Sequence, residues 1–154
     1  MAYDVKQHAR RVFDELWNQG KIDAIDQIVD ASYQGYQPIV GGLNRDGLKQ
    51  AVGLFRKAFP DLRFEIKDLI AEGDKVLVRW NAAGTFKNPF MGIAPNGNLS
   101  SVDGLTYIEI RNGKSIRDFT HYDVLTLYRN MGVELPKQMG IPGKAAQPEQ
   151  PARH

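Results

Sequence analysis

The dipeptide Asn112-Gly113 separates two stretches, 99–111 and 114–123, and no other feature constrains the fold as tightly. Asn-Gly is a strong two-residue hairpin signal, because the type I′ turn needs positive φ at both central positions. The two stretches are therefore expected as adjacent antiparallel strands. The second reads Ser115-Ile116-Arg117-Asp118-Phe119-Thr120-His121-Tyr122-Asp123. Strand side chains alternate between faces, so Phe119, His121 and Asp123 are expected on one face and Asp118, Thr120 and Tyr122 on the other. An aromatic ring, an imidazole and a carboxylate would then share one wall, just before an apolar helix. If that wall faces a cavity, it forms an acid/base site that needs no cofactor.

The chain before the hairpin supplies helices and more strands. Val5, Ala9, Val12, Phe13, Leu16 and Trp17 recur at helical spacing over residues 5–18, and Gly20 is the expected left-handed cap. A short helix is expected over 22–29 and an extended aromatic segment over 32–38, with Gly41-Gly42 as a loop. Leu48, Ala51, Val52, Leu54, Phe55 and Ala58 mark a third helix from Arg45 to Phe59, ended by Pro60-Asp61. Residues 62–71 and 76–83 alternate as strands, the latter with Val76, Val78, Trp80 and Ala82 on one face. Residues 84–98 read as a long loop or interrupted hairpin, and 124–131 as a short helix or turn. Helices first and antiparallel strands after indicate an α+β domain, a curved sheet with the N-terminal helices against its concave face. Such an arrangement encloses a cone, and cone mouths are ligand sites.

Composition narrows the chemistry. A chain of 154 residues is expected to form one domain, here over 1–143, with a polar, proline-containing and disordered tail over 144–154. There are 20 basic and 18 acidic residues, dispersed along the chain, which points away from a nucleic-acid or membrane-surface partner. The absence of cysteine removes disulfides, thiolate metal sites and cysteine nucleophiles. The three histidines His8, His121 and His154 have no ligand spacing on one element, so no metal is expected. No glycine-rich phosphate loop follows a strand. The first residues lack the apolar run of a signal peptide, and no stretch reaches the about 20 residues needed to span a bilayer. A soluble, cytoplasmic protein without a cofactor is the expectation.

Six segments in order resemble the SnoaL-like polyketide cyclases of the nuclear-transport-factor-2-like superfamily. They are Trp17 through Asp26 (WNQGKIDAID), Ala58 through Phe64 (AFPDLRF), Ala71 through Trp80 (AEGDKVLVRW), Gly84-Thr85, Phe90 through Gly97 (FMGIAPNG) and Arg111 through Ile116 (RNGKSI). Together they span roughly residues 9–132. The resemblance implies a conical, cystatin-like α+β barrel, often a homodimer through its sheet, with a pocket between sheet and helices. It also implies an aspartate near the end of the last strand as the acid/base of an intramolecular aldol ring closure, a role that falls by position on Asp123. The departures are Phe119 where many relatives have Trp, Thr120 where they have a second Asp, Tyr36 where a His is common, and His121 at a position usually apolar.

On this reading Asp123 is the base and His121, or a tyrosine, donates to the developing enolate oxygen. Trp17, Tyr33, Tyr36, Phe55, Trp80 and Phe119 are expected to line a pocket for a small hydrophobic carbonyl compound. The competing reading of Asp123 is an N-cap for the helix that follows it. A non-catalytic small-molecule-binding domain is the alternative function. Epoxide hydrolysis ranks third, because it calls for a cooperating Asp–Arg–Asp set that alternation keeps Arg117 and Asp118 from completing.

Overall fold

The computed structural model describes residues 4–135. Helix α1 (Val5–Arg11) starts at Asp4, whose side chain accepts a hydrogen bond from the Gln7 N–H. It continues as a π-wound segment, Val12–Asn18, that ends before Gly20 in the left-handed region. The helix expected over 22–29 is a 3-10 turn (Ile22–Ala24) followed by α2 (Ile25–Ile28), because Val29 already opens strand β1 (Val29–Gln37). The expected Gly41-Gly42 loop belongs to a short strand, β2 (Gly41–Leu43). Helix α3 (Arg45–Ala58) is capped by Asn44, which accepts from the Gly47 N–H. Strands β3 (Arg63–Glu72), β4 (Lys75–Thr85), β5 (Leu99–Arg111) and β6 (Lys114–Tyr122) then precede α4 (Val124–Asn130). The expected disordered tail over 144–154, and the domain boundary at 143, lie outside the described residues.

The six strands form one mixed sheet in the order β2-β1-β6-β5-β4-β3. Only β1 and β6 pair in parallel. The sheet has two free edges, so the architecture is α+β but not a closed barrel. One face carries the core. Ala9, Val12, Phe13 and Leu16 from the first helical segment pack with Leu48 and Val52 of α3 against Val76, Val78, Trp80, Ile108 and Ile110. Burying an aliphatic or aromatic side chain of this size contributes about 1.5–3 kcal/mol. A second cluster gathers Phe55, Ala58 and Phe59 with Phe86, Phe90, Val102, Leu127 and Met131. Gly104 lies opposite Trp80 in the β4–β5 ladder, and a Cβ there would overlap the indole. A side chain larger than hydrogen at 104 is therefore incompatible with the observed Trp80 position.

Two bulges set which side chains reach the core. In β3 the ladder shifts between Ile66 and Asp68. Phe64 and Ile66 pack on the core before the shift, Leu69 and Ala71 after it, and Ile70 is left 64% exposed on the other face. In β6 the ladder with β5 passes from Ile110↔Ser115 to Glu109↔Arg117, so Ile116 has no partner. Were Ile116 itself paired with Glu109, the ladder would place Phe119 opposite Thr106 and His121 opposite Gly104. With Ile116 left out of the ladder, Thr120 faces Thr106 and Tyr122 faces Gly104. Directly opposed residues share a face, so one residue exchanges the two faces of everything beyond it.

Inserting one residue after Ile116 is expected to force either a register slip that buries Arg117 and His121 or a broken ladder. The chain should lose its cooperative thermal transition by circular dichroism. An insertion protein melting within a few degrees of the parent would contradict a register held by a single extra residue.

Candidate active site

Between the covered sheet face and the helices lies a cavity whose walls are mostly apolar. Phe13, Trp17, Phe55 and Phe59 close it from the helical side, and Trp80 and Val102 from the sheet. The centre of a water molecule can explore about 80 Å3 inside it, several times the about 10–15 Å3 that a single water needs. Its polar wall is short: Gln37 from β1, Ser100 and Thr106 from β5, and Asp118, Thr120 and Tyr122 from β6.

Asp118 is the carboxylate on this wall. The parallel β1–β6 pairing sets it beside Gly35. Tyr33, two residues earlier on the same face, is buried and runs over Gly35 to donate its hydroxyl to Asp118 Oδ1 at 2.7 Å. A Cβ on Gly35 would overlap both the Tyr33 hydroxyl and the Asp118 carboxylate, so the pair exists because that residue has no side chain. Asp118 Oδ2 has no hydrogen-bond partner among the described residues. Burial pushes the Asp118 carboxyl up to about 7, and the Tyr33 hydrogen bond, which favours the charged form, opposes that shift. The Tyr33 phenol is itself raised well above its usual range, first by burial and then by the adjacent carboxylate.

The other polar groups are largely engaged with one another. Trp80 Nε1 donates to Thr106 Oγ1 at 2.9 Å, and Thr106 Oγ1 and Thr120 Oγ1 share a hydrogen bond of 2.9 Å. Tyr122 donates to the Pro38 carbonyl at 3.2 Å, and Asn130 Nδ2 donates to Ser100 Oγ at 3.1 Å. Among the described residues no group of three or more His, Cys, Asp or Glu side chains is placed to hold a metal ion. No helix there is long and apolar enough to cross a membrane.

The residues singled out in the sequence separate into two groups. Trp17, Phe55 and Trp80 line the cavity, and Tyr33 reaches it through Asp118. Phe119, His121 and Tyr36 lie on the opposite face of the sheet, where the Tyr36 and His121 rings meet at a tilt with centroids 5.6 Å apart. Asp123 is exposed at the N-terminus of α4. Its carboxylate accepts from the Thr126 N–H at 3.0 Å and from the Thr126 hydroxyl at 2.6 Å. That is the capping arrangement, worth about 1 kcal/mol. The alternation along β6 is as expected, but the bulge at Ile116 turns the Asp118, Thr120 and Tyr122 set inward instead. Asp118, Gln37 and the Thr106–Thr120 pair were not singled out as site residues. The signal for Asp118 was its place in the other alternating set, which the sequence leaves equivalent until the register is known.

The sequence matches the profile of the SnoaL-like polyketide cyclases over residues 7–131. A comparison with curated proteins returns no significant match. Among solved structures, a candidate polyketide cyclase from Acidithiobacillus ferrooxidans is similar at 26% identity, over 86% of this chain and 98% of that one, with a TM-score of 0.73. IdmH from Streptomyces antibioticus, a candidate polyketide cyclase, shares 21% identity over 85% of this chain and 100% of that one, at 0.75. AclR from Streptomyces galilaeus, a candidate hydroxylase, shares 23% over 86% and 87%, at 0.76. Likenesses of 21% and 23% establish the fold, and two different reaction names on one fold leave the chemistry to the site.

The raised carboxyl makes a prediction about stability. Folded Asp118 titrates at about 7, above its ordinary value of 3.8. Between those pH values the folded chain holds a proton that the unfolded chain has released, so this group's contribution to stability falls as pH rises through that window. His8 acts in the opposite sense, since burial and Arg11 lower it to about 4 and it must be neutral to stay buried. Asp118→Asn removes only the first effect. Its stability relative to the parent, from urea unfolding, should rise between pH 4.5 and 8 by an amount on the order of 2–4 kcal/mol. A pH-independent difference would contradict the raised carboxyl.

Proposed function

The chain belongs to the SnoaL-like polyketide cyclase family, and from that premise we propose cofactor-independent acid/base catalysis on a small hydrophobic carbonyl compound, with Asp118 carrying the proton. The observation that carries this reading is a carboxyl group buried on the wall of an apolar cavity, held on one oxygen by Tyr33 and open on the other, where burial pushes it up to about 7. A base poised near the working pH combines adequate ionisation with adequate proton affinity, and such catalysis contributes about 10²–10⁴-fold. In the ionised form Asp118 Oδ2 would remove a proton from the carbon next to the substrate carbonyl, leaving an enolate and a neutral carboxylic acid. The enolate carbon then either bonds to a second carbonyl carbon of the same molecule, closing a ring, or is reprotonated elsewhere. In both cases Asp118 gives its proton back, to the new alkoxide or to carbon, and the cycle closes. Tyr33 keeps the carboxylate oriented and stabilises its charged form. The aromatic walls would hold the chain of the substrate and exclude water.

The rival is a binding domain in which the same cavity supplies affinity alone. Deuterium exchange into 2-tetralone, a bicyclic ketone with acidic α-hydrogens, separates the two. The parent protein in D2O should speed exchange over buffer in NMR spectra, and Asp118→Asn should lose at least 100-fold of that acceleration. The exchange rate should rise with pH and level off above about 7. In Tyr33→Phe the limb should move to higher pH, because a hydrogen bond that favours the carboxylate is gone. A parent protein that binds the ketone without accelerating exchange would favour the binding domain.

The open face of the sheet supports a second proposal, a homodimer. Tyr36, Phe119, Tyr107, Leu77 and Ile70 stand in one cross-strand row over β1, β6, β5, β4 and β3. A stripe of five strands is about 20 Å long. Beside it run Arg117, Glu109, Lys75 and Glu72, of alternating sign. A two-fold axis along the strands would set each of these charges against its opposite on a second copy. Leu77→Glu should turn a dimer into a monomer in sedimentation velocity; a monomeric parent at micromolar concentration would rule the interface out.

A further inference from the structure

Of the polar side chains on the cavity wall, Gln37 alone makes no side-chain hydrogen bond to the described residues. It is 7% exposed and ends strand β1, facing inward with Tyr33 and Gly35. No fully buried side-chain nitrogen or oxygen among the described residues lacks a partner, so its amide must open onto the cavity. The hydrogen-bonding capacity of this amide is therefore left to water or a ligand in the cavity, and a bound group that failed to pair with it would leave it unsatisfied at a cost of about 1–3 kcal/mol.

Its position relative to Asp118 is set by the ladder. β1 and β6 run parallel with Gly35 beside Asp118 and Tyr36 beside Phe119. One step further places Gln37 beside Thr120, diagonal to Asp118 on the same face. Diagonal neighbours on one face of a sheet lie about 7–8 Å apart or somewhat less, within reach of long side chains. A side-chain N–H from one and a carboxylate oxygen from the other then bracket a short unit with a hydrogen-bonding interaction at either end. A carbonyl group and the carbon next to it have that reach. Tyr122 donates its hydroxyl to the Pro38 carbonyl, and Ser100 accepts from Asn130.

We infer that the Gln37 side-chain amide is the ligand-recognition group of this cavity, donating an N–H to the carbonyl oxygen of a flat, otherwise apolar ketone. What then happens to the bound ketone rests on the acid/base reading of Asp118; the recognition itself does not. If Asp118 takes the neighbouring proton, the oxygen gains charge and the same N–H binds it more strongly, so Gln37 also lowers the barrier to enolisation. The substrate class narrows accordingly. The oxygen must be an acceptor adjacent to the acidic carbon, and any second carbonyl, which ring closure requires, faces away from the Phe13, Phe55 and Phe59 walls.

The test compares 2-tetralone with tetralin, the same bicycle lacking the oxygen, by quenching of the Trp17 and Trp80 emission. The parent should prefer the ketone, and Gln37→Met, close in length and without the donor, should lose that preference by about threefold to tenfold with tetralin binding unchanged. Gln37→Leu, close in volume and without any donor, should lose it too, and guards against a Met variant that fails to fold. The exchange assay then separates the two readings. Loss of exchange in Asp118→Asn with the ketone preference intact in Gln37→Met overturns the recognition inference and leaves the base standing. Absence of exchange in the parent, with the preference lost in both Gln37 variants, removes the base and supports recognition. A parent that binds tetralin as tightly as 2-tetralone, or binds neither, overturns the inference.

Discussion

One unpaired residue, Ile116, decides which half of the last strand meets the cavity. The hairpin at Asn112-Gly113 starts the β5–β6 ladder, and the bulge three residues later shifts it by one. Because strand side chains repeat every two residues, a shift of one is the largest change of environment a strand can undergo. Asp118 goes from solvent to an apolar cavity, and Phe119 and His121 go the other way. The pairing of Asp118 with Gly35, and through it the hydrogen bond from Tyr33, depends on that shift. So does the Thr106–Thr120 contact that receives the indole of Trp80.

The site carries a cost in stability. A carboxylate beside Phe13, Trp80 and Val102 is a poor core residue, and an apolar side chain of similar volume there would cost nothing in desolvation. Two features make it tolerable. Tyr33 supplies one hydrogen bond, and the group can hold its proton up to near-neutral pH rather than remain charged. The raised proton affinity that limits the cost of burial is also what a general base at neutral pH requires. Gly35 and Gly104 belong to the same arrangement, one leaving room for the Tyr33–Asp118 pair and the other for the Trp80 ring.

The family assignment and the site answer different questions. The profile match over 7–131 and the likeness to solved structures identify the scaffold. They do not choose among reactions, since structures of this fold carry the names of both cyclases and a hydroxylase. The residue that position in the family would nominate, Asp123, is the N-cap of α4 in this chain. The proton-carrying role is therefore argued from burial, hydrogen bonding and the open oxygen of Asp118, and the ligand from the unpaired amide of Gln37.

Much of the architecture was legible in the residues. Helical spacing located α1 and α3, the Val76–Val78–Trp80 alternation located β4 and its inward face, and Asn112-Gly113 located the hairpin. The walls formed by Trp17, Phe55 and Trp80 follow from those same periodicities, since an apolar face must be buried against something. Local features also supported Asp123 as a cap, because Asp before an apolar helix with Thr126 three residues on needs no tertiary contact to make its bonds. What the sequence by itself determined was thus each element, its apolar face and its caps, all products of interactions within a few residues. Which side of β6 faces the cavity, the meeting of Tyr33 with Asp118 across 85 positions, and the isolation of the Gln37 amide were decided only by the tertiary structure. The physical reason is that a period of two leaves the two faces of a strand equivalent until a neighbouring strand, and the bulge against it, fixes the register.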